Sequence, residues 1–346
     1  MSAPECVATP LPGSRGSSLC LRGVEFRPAL FCAPMAGLTH SAFRRLVSDF
    51  GGHGALFTEM LCGRWLRAEN LRTSAATRRR AQEGPVIYQL MIAEPTEVPA
   101  IMACLAQLEP AGVDLNCACP TPNVRHAGAG SALFEDRERL AAILTAMRRE
   151  LAGPLTVKIR LGLPREGWRA QLADRLRLFA DCGVDAVILH PRFADEKLRR
   201  RARHELLPEL ASATRLPIIA SGDLHGPELL RRNPEHFAGV SGLMIGRMAV
   251  VQPWLFRAWR SEPVAPDYLD VWQRFVRYVR EDFPERKVFH RIKAFTAYYA
   301  RNFHFGHTLL AATQSATDLA PLTEKATRFL SSAPQPALHP DVAGLA

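Results

Sequence analysis

Polar side chains that can bind rings and phosphates follow short apolar runs at several points of this sequence. Lys158 carries an ammonium, Gln89 can donate and accept hydrogen bonds, and His190 can reach a phosphate or a ring oxygen. A buried ammonium requires an anionic partner or an acceptor. Taken singly, each residue is as easily an ordinary rim or core residue as a ligand, so only their joint occurrence predicts a site.

Two glycine-containing stretches follow the last two apolar runs. Such loops in a barrel often hold a phosphate through backbone N–H groups and a nearby helix start, so we expect a phosphorylated cofactor. The negatively charged N1–C2=O edge of a reduced flavin would suit Lys158, and its imide edge would suit Gln89. The candidate strand-end residues are Ala33, Pro34, Met35, Glu59, Met60, Gln89, Asn116, Lys158, Arg160, His190, Arg192, Ser221, Gly222, Asp223, Gly246 and Arg247.

A thiol stands in the stretch DLNCACPTPNV, where Cys119 follows a predicted strand by a few residues. A thiol there could donate a proton to a carbon next to a site of hydride addition. On composition alone, Cys119 would rather be one of eight cysteines that act as small hydrophobes. Cys117 is the nearer rival, although we expect it on the strand itself.

Eight apolar runs alternate with helical stretches, which is typical of parallel strand-helix units. The runs are 29–35, 54–60, 85–90, 112–118, 155–160, 185–190, 216–221 and 242–246. This number favours a (β/α)8 TIM barrel, whose active site lies at the carboxyl ends of the strands. A doubly wound sheet would instead need a G-x-G-x-x-G after its first strand, and that stretch contains none.

Helix signals mark the connections between these runs. Thr39 and Asp136 stand where helices should begin, and Gly51 where one should end. The proline-containing stretch 261–267 reads as a linker to a small all-α C-terminal domain. We therefore expect an N-terminal extension (1–24), a barrel domain (25–260), a small helical domain (268–331) and a disordered tail (332–346).

The overall charge favours a polyanionic partner. Lys and Arg total 44 against 34 Asp and Glu, which gives a formal net charge of +10. Nucleic acid or an anionic membrane surface would both fit. No secretory segment, no C-x-x-C pair and no run near the ~18 apolar residues of a membrane span occur. We expect a cytoplasmic monomer without a metal.

Several stretches resemble the dihydrouridine synthase family, from Ala33 to about Phe256 and more weakly beyond. They are APMAGLTHSAFRRL, YQLM, DLNCACPTPNV followed by GAGSALF, VKIRLG, HPR, ASGD and IGRMAVVQPWLF. The resemblance implies an FMN-binding barrel, a helical RNA-binding domain and hydride supplied by NADPH. The expected substrate is a uridine in tRNA, with ribosomal RNA as the alternative.

The resemblance also implies roles. Cys119 would protonate C5 of uracil while reduced FMN delivers hydride to C6, Asn116 would hold the base, and Arg160 would lie near the substrate. Residues that would bind FMN are Ala33, Pro34, Met35, Gln89, Lys158, His190, Ser221, Gly222, Asp223, Gly246 and Arg247. Departures from the family pattern are Ala118 for the usual Gly, Cys117 for a larger residue, and HPRF (190–193) for HGRT.

RNA contacts are expected from clusters of basic residues, each of which could also be a solvated helix face. They are Arg78 to Arg80, Arg199 to Arg201 with Arg203, Arg231-Arg232, and Arg286, Lys287, Arg291, Lys293 and Arg301. Two rival functions remain at this point. One is a flavin barrel that reduces a small metabolite, as dihydroorotate dehydrogenases and ene-reductases do, and the other is an RNA-chaperoning flavoprotein with little catalysis.

Overall fold

The computed structural model describes residues 16–196, 198–262, 264–340 and 342. The predicted N-terminal extension lies outside these residues over 1–15, and the predicted tail does so at 341 and 343–346. In chain order the strands are β1 (Leu19–Leu21), β2 (Val24–Phe26), β3 (Leu30–Cys32), β4 (Ala55–Phe57), β5 (Leu61–Cys62), β6 (Val86–Met91), β7 (Gly112–Cys117), β8 (Leu155–Ile159), β9 (Ala186–Leu189), β10 (Ile218–Ser221) and β11 (Val240–Ile245).

Strands β3, β4 and β6 to β11 form a closed parallel barrel. Each pairs with the next along the chain, and β11 returns to pair with β3. Short β5 extends the rim beside the end of β6. The predicted (β/α)8 fold is therefore confirmed. The strands are almost wholly apolar because they are covered on both faces.

Helices surround the barrel and continue beyond it. They are α1 (Ser41–Phe50), α2 (Gly63–Leu66), α3 (Val98–Ala106), α4 (Pro122–His126), α5 (Ser131–Glu135), α6 (Arg137–Glu150), α7 (Trp168–Asp181), α8 (Leu207–Ser212), α9 (Glu228–Arg232), α10 (Arg247–Val251), α11 (Leu255–Trp259), α12 (Tyr268–Asp282), α13 (Glu285–Tyr299), α14 (His307–Ser315) and α15 (Leu319–Ser331). Asp136 caps α6 by accepting from the Arg139 N–H at 3.1 Å, and α1 ends at Gly51 with a φ of 69°.

The barrel interior has its own apolar core, which the hairpin of β1 and β2 closes at the amino ends of the strands. Leu19, Leu21 and Phe26 of the hairpin are buried against interior residues such as Phe31 and Ala55. A larger apolar layer lies between the strands and the surrounding helices. The amino end is thus filled with hydrophobic side chains, and polar chemistry is confined to the carboxyl end.

A buried acidic side chain joins the C-terminal helices to the barrel, beside further contacts such as those of Arg274 and Tyr278 with Asp49. Asp282, at the end of α12, accepts hydrogen bonds from Ser41 of α1, from Arg80, and from Arg78 Nη1 at 2.7 Å. Its carboxylate is fully buried, and these partners hold its pKa below the usual range although burial alone would raise it. Arg45 of α1 lies over the Tyr278 ring at 3.9 Å.

Several chain segments differ in detail from what the sequence predicts, among them 29–35, 54–60, which gives only the strand Ala55–Phe57, and 332–340. The run 29–35 gives a strand of only three residues, because Ala33-Pro34-Met35 turn out of the barrel toward Thr39, whose hydroxyl accepts from the Met35 N–H at 2.9 Å. The segment 332–340, predicted to be disordered, is bonded to the helical region. The His304 N–H donates to the Gln335 carbonyl at 3.0 Å, and the Ala337 N–H donates to the Asn302 carbonyl at 2.7 Å.

Candidate active site

Alternation along the barrel strands directs the predicted polar residues inward near the carboxyl end of the barrel. Gln89, Asn116 and Lys158 occupy β6, β7 and β8, with Asn116 directly opposite Lys158, and His190 immediately follows β9. All four are buried. The carboxyl end of the barrel therefore collects side chains that lie far apart in the sequence.

Cys119 lies on a tight turn just beyond β7, half-buried. The Asn116 side-chain oxygen accepts from the backbone N–H groups of Ala118 at 3.1 Å and Cys119 at 2.9 Å, which shapes the turn. The Cys119 thiol lies 3.3 Å from the Thr121 hydroxyl. It also contacts a small apolar cluster formed by Ala93, Val124 and Ala129 with Met60 and Met91.

Cys117 differs from Cys119 in its surroundings. It is almost fully buried within the layer between strands and helices, away from the barrel mouth. Burial, and secondarily the Asp114 carboxylate, raises the pKa of the Cys117 thiol well above its usual value. The geometry thus separates two cysteines that sequence reasoning could not separate without the family pattern.

The GAG stretch after the turn has a steric reason. Gly130 has a φ of 60°, and a side-chain carbon there would lie 2.6 Å from the Cys119 carbonyl oxygen. The Ser131 N–H donates to the same oxygen at 2.9 Å. Only glycine permits this approach, which holds the Cys119 turn from its far side.

A buried chain of hydrogen bonds runs beneath the turn. Thr156 Oγ1 donates to Asp114 at 2.6 Å, Gln89 Nε2 donates to the other Asp114 oxygen at 2.7 Å, and Asn116 Nδ2 donates to Gln89 Oε1 at 2.8 Å. Asp114 is fully buried, and burial raises its pKa to about 6, although hydrogen bonds from Thr156 and Gln89 oppose the rise. Sequence reasoning missed Asp114, yet its position two residues before Asn116 was a usable signal, because both must face inward.

Cationic side chains surround a cavity of about 180 Å³ on the other side of the barrel mouth. Burial and the neighbouring Arg160 lower the pKa of Lys158 to about 8, and burial and Arg192 lower that of Arg160 to about 10. Burial and the same cations lower the pKa of His190 well below its usual value. The cavity is lined by Ala33, Pro34, Met35, Lys158, Arg160, His190, Arg192, Leu198, Ser221, Gly222, Asp223, Leu224, His225, Gly246, Arg247, Met248 and Val342. It therefore includes every predicted cofactor residue except Gln89.

Within this cavity Asp223 orients cations. Its carboxylate accepts from Arg192 Nη2 at 2.6 Å, from Arg247 Nη2 at 3.1 Å and from the Ala202 N–H at 2.8 Å. Burial alone would raise the Asp223 pKa, but these partners lower it. Arg192, in the altered HPRF loop, also donates to His190 Nε2 at 2.7 Å, so the substituted loop still brings its arginine into the site.

Gly222 provides close packing against the histidine. Its φ is +99°, and a side-chain carbon would lie 2.5 Å from His190 Cδ2 and 2.6 Å from Nε2. The position therefore excludes other residues both by conformation and by contact. This explains the glycine in ASGD.

A larger cavity of about 790 Å³ opens beside Cys119, between the barrel loops and the start of α13. Met60, Met91 and Val124 line its inner part, next to the thiol cluster. Trp65 lines its outer part with 73% of its surface exposed. Cations and acids both border it, namely Arg64, Lys287 and Arg291 together with Glu59, Glu69, Glu97 and Asp282.

Several basic residues predicted to contact RNA are paired with acidic or carbonyl groups of the protein itself. Arg78 and Arg80 bond to Asp282, Arg231 and Arg232 pair with Glu228, and Arg203 pairs with Glu196; Lys293 donates to the carbonyls of Gln314 and Ala316, and Arg291 lies 3.8 Å from Glu59. The exposed members of the clusters are Arg79, Arg199, Arg200, Arg201, Arg231, Arg232, Arg286 and Lys287. The sequence clusters therefore overstate the basic surface available.

The described ranges contain neither a cluster of side chains suited to a metal ion nor a helix suited to crossing a membrane. No group of three or more His, Cys, Asp or Glu side chains there could hold a metal ion. Among the described helices, none is long and apolar enough to cross a membrane.

Comparison with known proteins matches residues 31–331 to the family model "Dihydrouridine synthase (Dus)". A probable tRNA-dihydrouridine synthase of Treponema pallidum is 31% identical over 246 residues, covering 67% of this chain and 70% of that protein. The tRNA-dihydrouridine synthase B of Pseudomonas aeruginosa is 31% identical over 229 residues, covering 66% and 68%.

Solved structures share the fold at low sequence identity. Morphinone reductase superposes with a TM-score of 0.53 at 11% identity, covering 75% of this chain and 92% of that one. A 2-naphthoyl-CoA reductase complex gives 0.54 at 10% identity, covering 70% and 51%. These likenesses support the barrel alone, whereas the family match covers both the barrel and the helices that follow it, and the chain accordingly belongs to the dihydrouridine synthase family.

Proposed function

We propose that this protein is a tRNA-dihydrouridine synthase that reduces the C5=C6 bond of a uridine, with FMN as cofactor and NADPH as reductant. The observation that carries the proposal is the half-buried Cys119 thiol on a braced turn. It packs with Met60, Met91 and Val124, which line the larger cavity, and it lies close enough to Lys158 and Arg160 of the cation-lined cavity to interact with their charges. An acid and a cofactor cradle that meet at one barrel mouth suit the addition of a hydride and a proton across a double bond.

The cation-lined cavity fits a phosphorylated, electron-rich ring. Lys158 is buried, and among the described residues none accepts a hydrogen bond from its ammonium, so an anionic ring edge would complete its environment. Gln89 would bind the imide edge with its remaining N–H, and His190, Ser221, Gly222, Gly246 and Arg247 would surround the ribityl and phosphate end. Ala33, Pro34 and Met35 would pack on the ring. When bound, FMN supplies the hydride for C6.

Cys119 supplies the proton in this proposal. Its S–H bond breaks as a C–H bond forms at C5, which leaves a thiolate beside the Thr121 hydroxyl. That hydroxyl can then donate to the sulfur across the observed 3.3 Å. Asn116 keeps the turn in place through its oxygen and retains one N–H for the base, and Arg160, which lies close enough to Cys119 to interact with it electrostatically, would lie near the substrate.

The substrate enters through the larger cavity. A uracil in folded RNA is stacked, so it must be extruded to reach a thiol in a barrel mouth. The cavity of about 790 Å³ between the barrel and α13 is roomy enough for a base with its ribose, and Met60, Met91 and Val124 would border the base. Because tRNA is the proposed substrate, we expect the reaction to take place in the cytoplasm. That the protein is a monomer stays a prediction.

The test combines colour, turnover and two cysteine variants. We expect purified protein to show a flavin absorption band and to convert uridine in tRNA, detected by mass spectrometry as the gain of two hydrogens. Cys119→Ala should lose at least about a hundredfold in rate, a typical contribution of general acid catalysis. Cys117→Ala is the matched control and should retain turnover. If only Cys117→Ala lost turnover, Cys117 and not Cys119 would be the general acid. A colourless purified protein would refute the proposal that FMN is the cofactor.

The RNA class is tested separately. Unmodified tRNA and ribosomal RNA are offered in turn, together with free uridine, and dihydrouridine is mapped in a deletion strain and its complement. We expect tRNA to be modified and one tRNA position to lose dihydrouridine on deletion. If only ribosomal RNA were modified, the substrate would be ribosomal RNA and not tRNA. Full turnover of free uridine would favour a reductase of small metabolites.

A further inference from the structure

Asp114 lies one inward position below Asn116 on β7 and has no role in the proposed chemistry. It is fully buried in the barrel interior, level with Thr156 of the neighbouring strand. Both carboxylate oxygens accept hydrogen bonds, one from Thr156 Oγ1 at 2.6 Å and one from Gln89 Nε2 at 2.7 Å. A buried carboxylate without an arginine or lysine bonded to it is costly, so its presence needs a reason.

The polarity of the hydrogen bonds above Asp114 gives that reason. An ionised carboxylate can only accept, so Gln89 must turn its NH₂ group toward Asp114. The Gln89 oxygen then faces the carboxyl end of the barrel and accepts from Asn116 Nδ2 at 2.8 Å. This orients the Asn116 oxygen toward the N–H groups of Ala118 and Cys119, at 3.1 and 2.9 Å.

We propose that Asp114 is a positioning residue that fixes the amide orientations of Gln89 and Asn116 and, through them, the turn that carries Cys119. Side-chain amides are nearly symmetric in shape, so packing alone does not choose between their two orientations. With Asn116 reversed, an NH₂ group would face the two N–H donors of the turn. The turn would then lose both bonds and the thiol its fixed place. The consequence for turnover rests on the proposed function, whereas the consequence for the turn does not.

The test reverses the polarity and then restores it. Asp114→Asn can present an NH₂ group to Gln89 and favours the reversed amide. Asp114→Asn combined with Gln89→Glu restores the original orientation of the Asn116 amide. The new amide at position 114 donates to the new carboxylate at position 89, and this carboxylate accepts from Asn116. Thr156→Val is the matched control, since it also removes one buried hydrogen bond of Asp114 but leaves the carboxylate as an acceptor.

Amide hydrogen exchange of Ala118 and Cys119 is measured in the full-length protein, with alkylation of the Cys119 thiol as a second readout. We expect exchange at these two amides to accelerate at least tenfold in Asp114→Asn and to return to within threefold of wild type in the double variant. Thr156→Val should stay near wild type. Equal acceleration in Asp114→Asn and Thr156→Val, or no recovery in the double variant, would mean a structural role only and would overturn the proposal.

Two further measurements keep the outcome decisive. Neutron diffraction of the wild-type protein locates the deuterons on Gln89, and a Gln89 oxygen facing Asp114 would refute the proposal even if Asp114→Asn does not fold. Single-turnover reduction of tRNA should fall at least tenfold in Asp114→Asn and stay near wild type in Thr156→Val; the double variant is not used for this readout, because Gln89 is also expected to bind FMN. A wild-type protein without any turnover, but with the expected exchange pattern, would refute the proposed function and leave the positioning role intact.

Discussion

At the residue scale, the site is built from groups whose burial is unfavourable in the protein alone. Lys158 is buried beside Arg160, and its pKa is lowered to about 8 from a usual value near 10.4. This difference corresponds to roughly 3 kcal/mol against burying the charged form. An anionic ligand edge would offset this unfavourable burial of the Lys158 ammonium. A substitution that removes the charge should therefore stabilise the ligand-free protein and weaken ligand binding.

We therefore expect Lys158→Met to stabilise the flavin-free protein at about pH 7 by up to ~3 kcal/mol while lowering FMN affinity. Between pH ~8 and ~10.4 the folded wild type has already released the proton that the unfolded chain still holds. Wild-type stability therefore rises with pH in this window, and the advantage of the variant shrinks. Urea unfolding at several pH values and flavin titration check both effects; equal stability at every pH would contradict the burial argument.

Gly222 allows a second prediction at this scale. Gly222→Ala would place a carbon 2.5 Å from the His190 ring at a φ of +99°, so we expect FMN affinity to fall at least tenfold. Gly226→Ala is the matched control, because no atom lies within 4 Å of its added carbon. Flavin fluorescence titration measures both variants, and similar affinities would show that this contact does not shape the cradle.

At the element scale, α12 is fixed to the barrel by the Asp282 cluster. Asp282→Asn leaves Arg78 and Arg80 without their buried carboxylate, and we expect a loss of about 3 kcal/mol in the free energy of unfolding. Because the folded pKa of Asp282 is lowered, its contribution is present above the unfolded pKa of ~3.9 and disappears as pH falls through the folded value.

Glu281→Gln is the control for this prediction. The Glu281 carboxylate, which pairs with Arg45, is partly exposed to solvent, so this ion pair should contribute little to stability. Denaturant unfolding near pH 7 and near pH 3 provides the comparison. Equal losses for the two variants near pH 7 would show that the cluster at Asp282 is not what fixes α12.

How far the sequence predicts the structure differs between elements. The barrel follows from eight largely apolar runs, because strands covered on both faces bury most of their side chains. The mouth residues follow from strand ends, and the structure brings Lys158, His190 and Asp223 together as expected. The Asp282 cluster could not be predicted, because its partners at positions 41, 78 and 80 lie far from Asp282 in the sequence. A run of arginines in a sequence looks like an RNA-binding surface, and only the structure shows that Asp282 pairs with two of them.

At the scale of the whole molecule, the larger cavity joins the barrel mouth to the helical region and carries an exposed aromatic ring. Trp65 is 73% exposed at its edge, near Arg64 and Lys287. Exposed indole rings are favourable stacking platforms for unpaired bases. Extrusion of one nucleotide leaves its neighbours available for such stacking.

We expect Trp65→Ala to weaken tRNA binding about tenfold and Trp65→Phe to weaken it less, because stacking contributes about 1–3 kcal/mol per base. NADPH oxidation without RNA should stay unchanged. Leu338→Ala, at a residue 93% exposed outside this cavity, is the control and should bind normally. Fluorescence anisotropy at several salt concentrations checks this, and equal affinity of Trp65→Ala and wild type would exclude a stacking role.

The hairpin of β1 and β2 has a practical consequence. It closes the amino end of the barrel, whereas the thiol turn and both cavities lie at the carboxyl end. A surface-attachment group coupled through Cys20, whose side chain is exposed on β1, would hold the molecule by its closed base. If coupling is confined to Cys20, for example with the other accessible cysteines replaced or protected, molecules tethered in this way would share one orientation and present the barrel mouth to flowing RNA, which makes single-molecule recording of binding and release practicable.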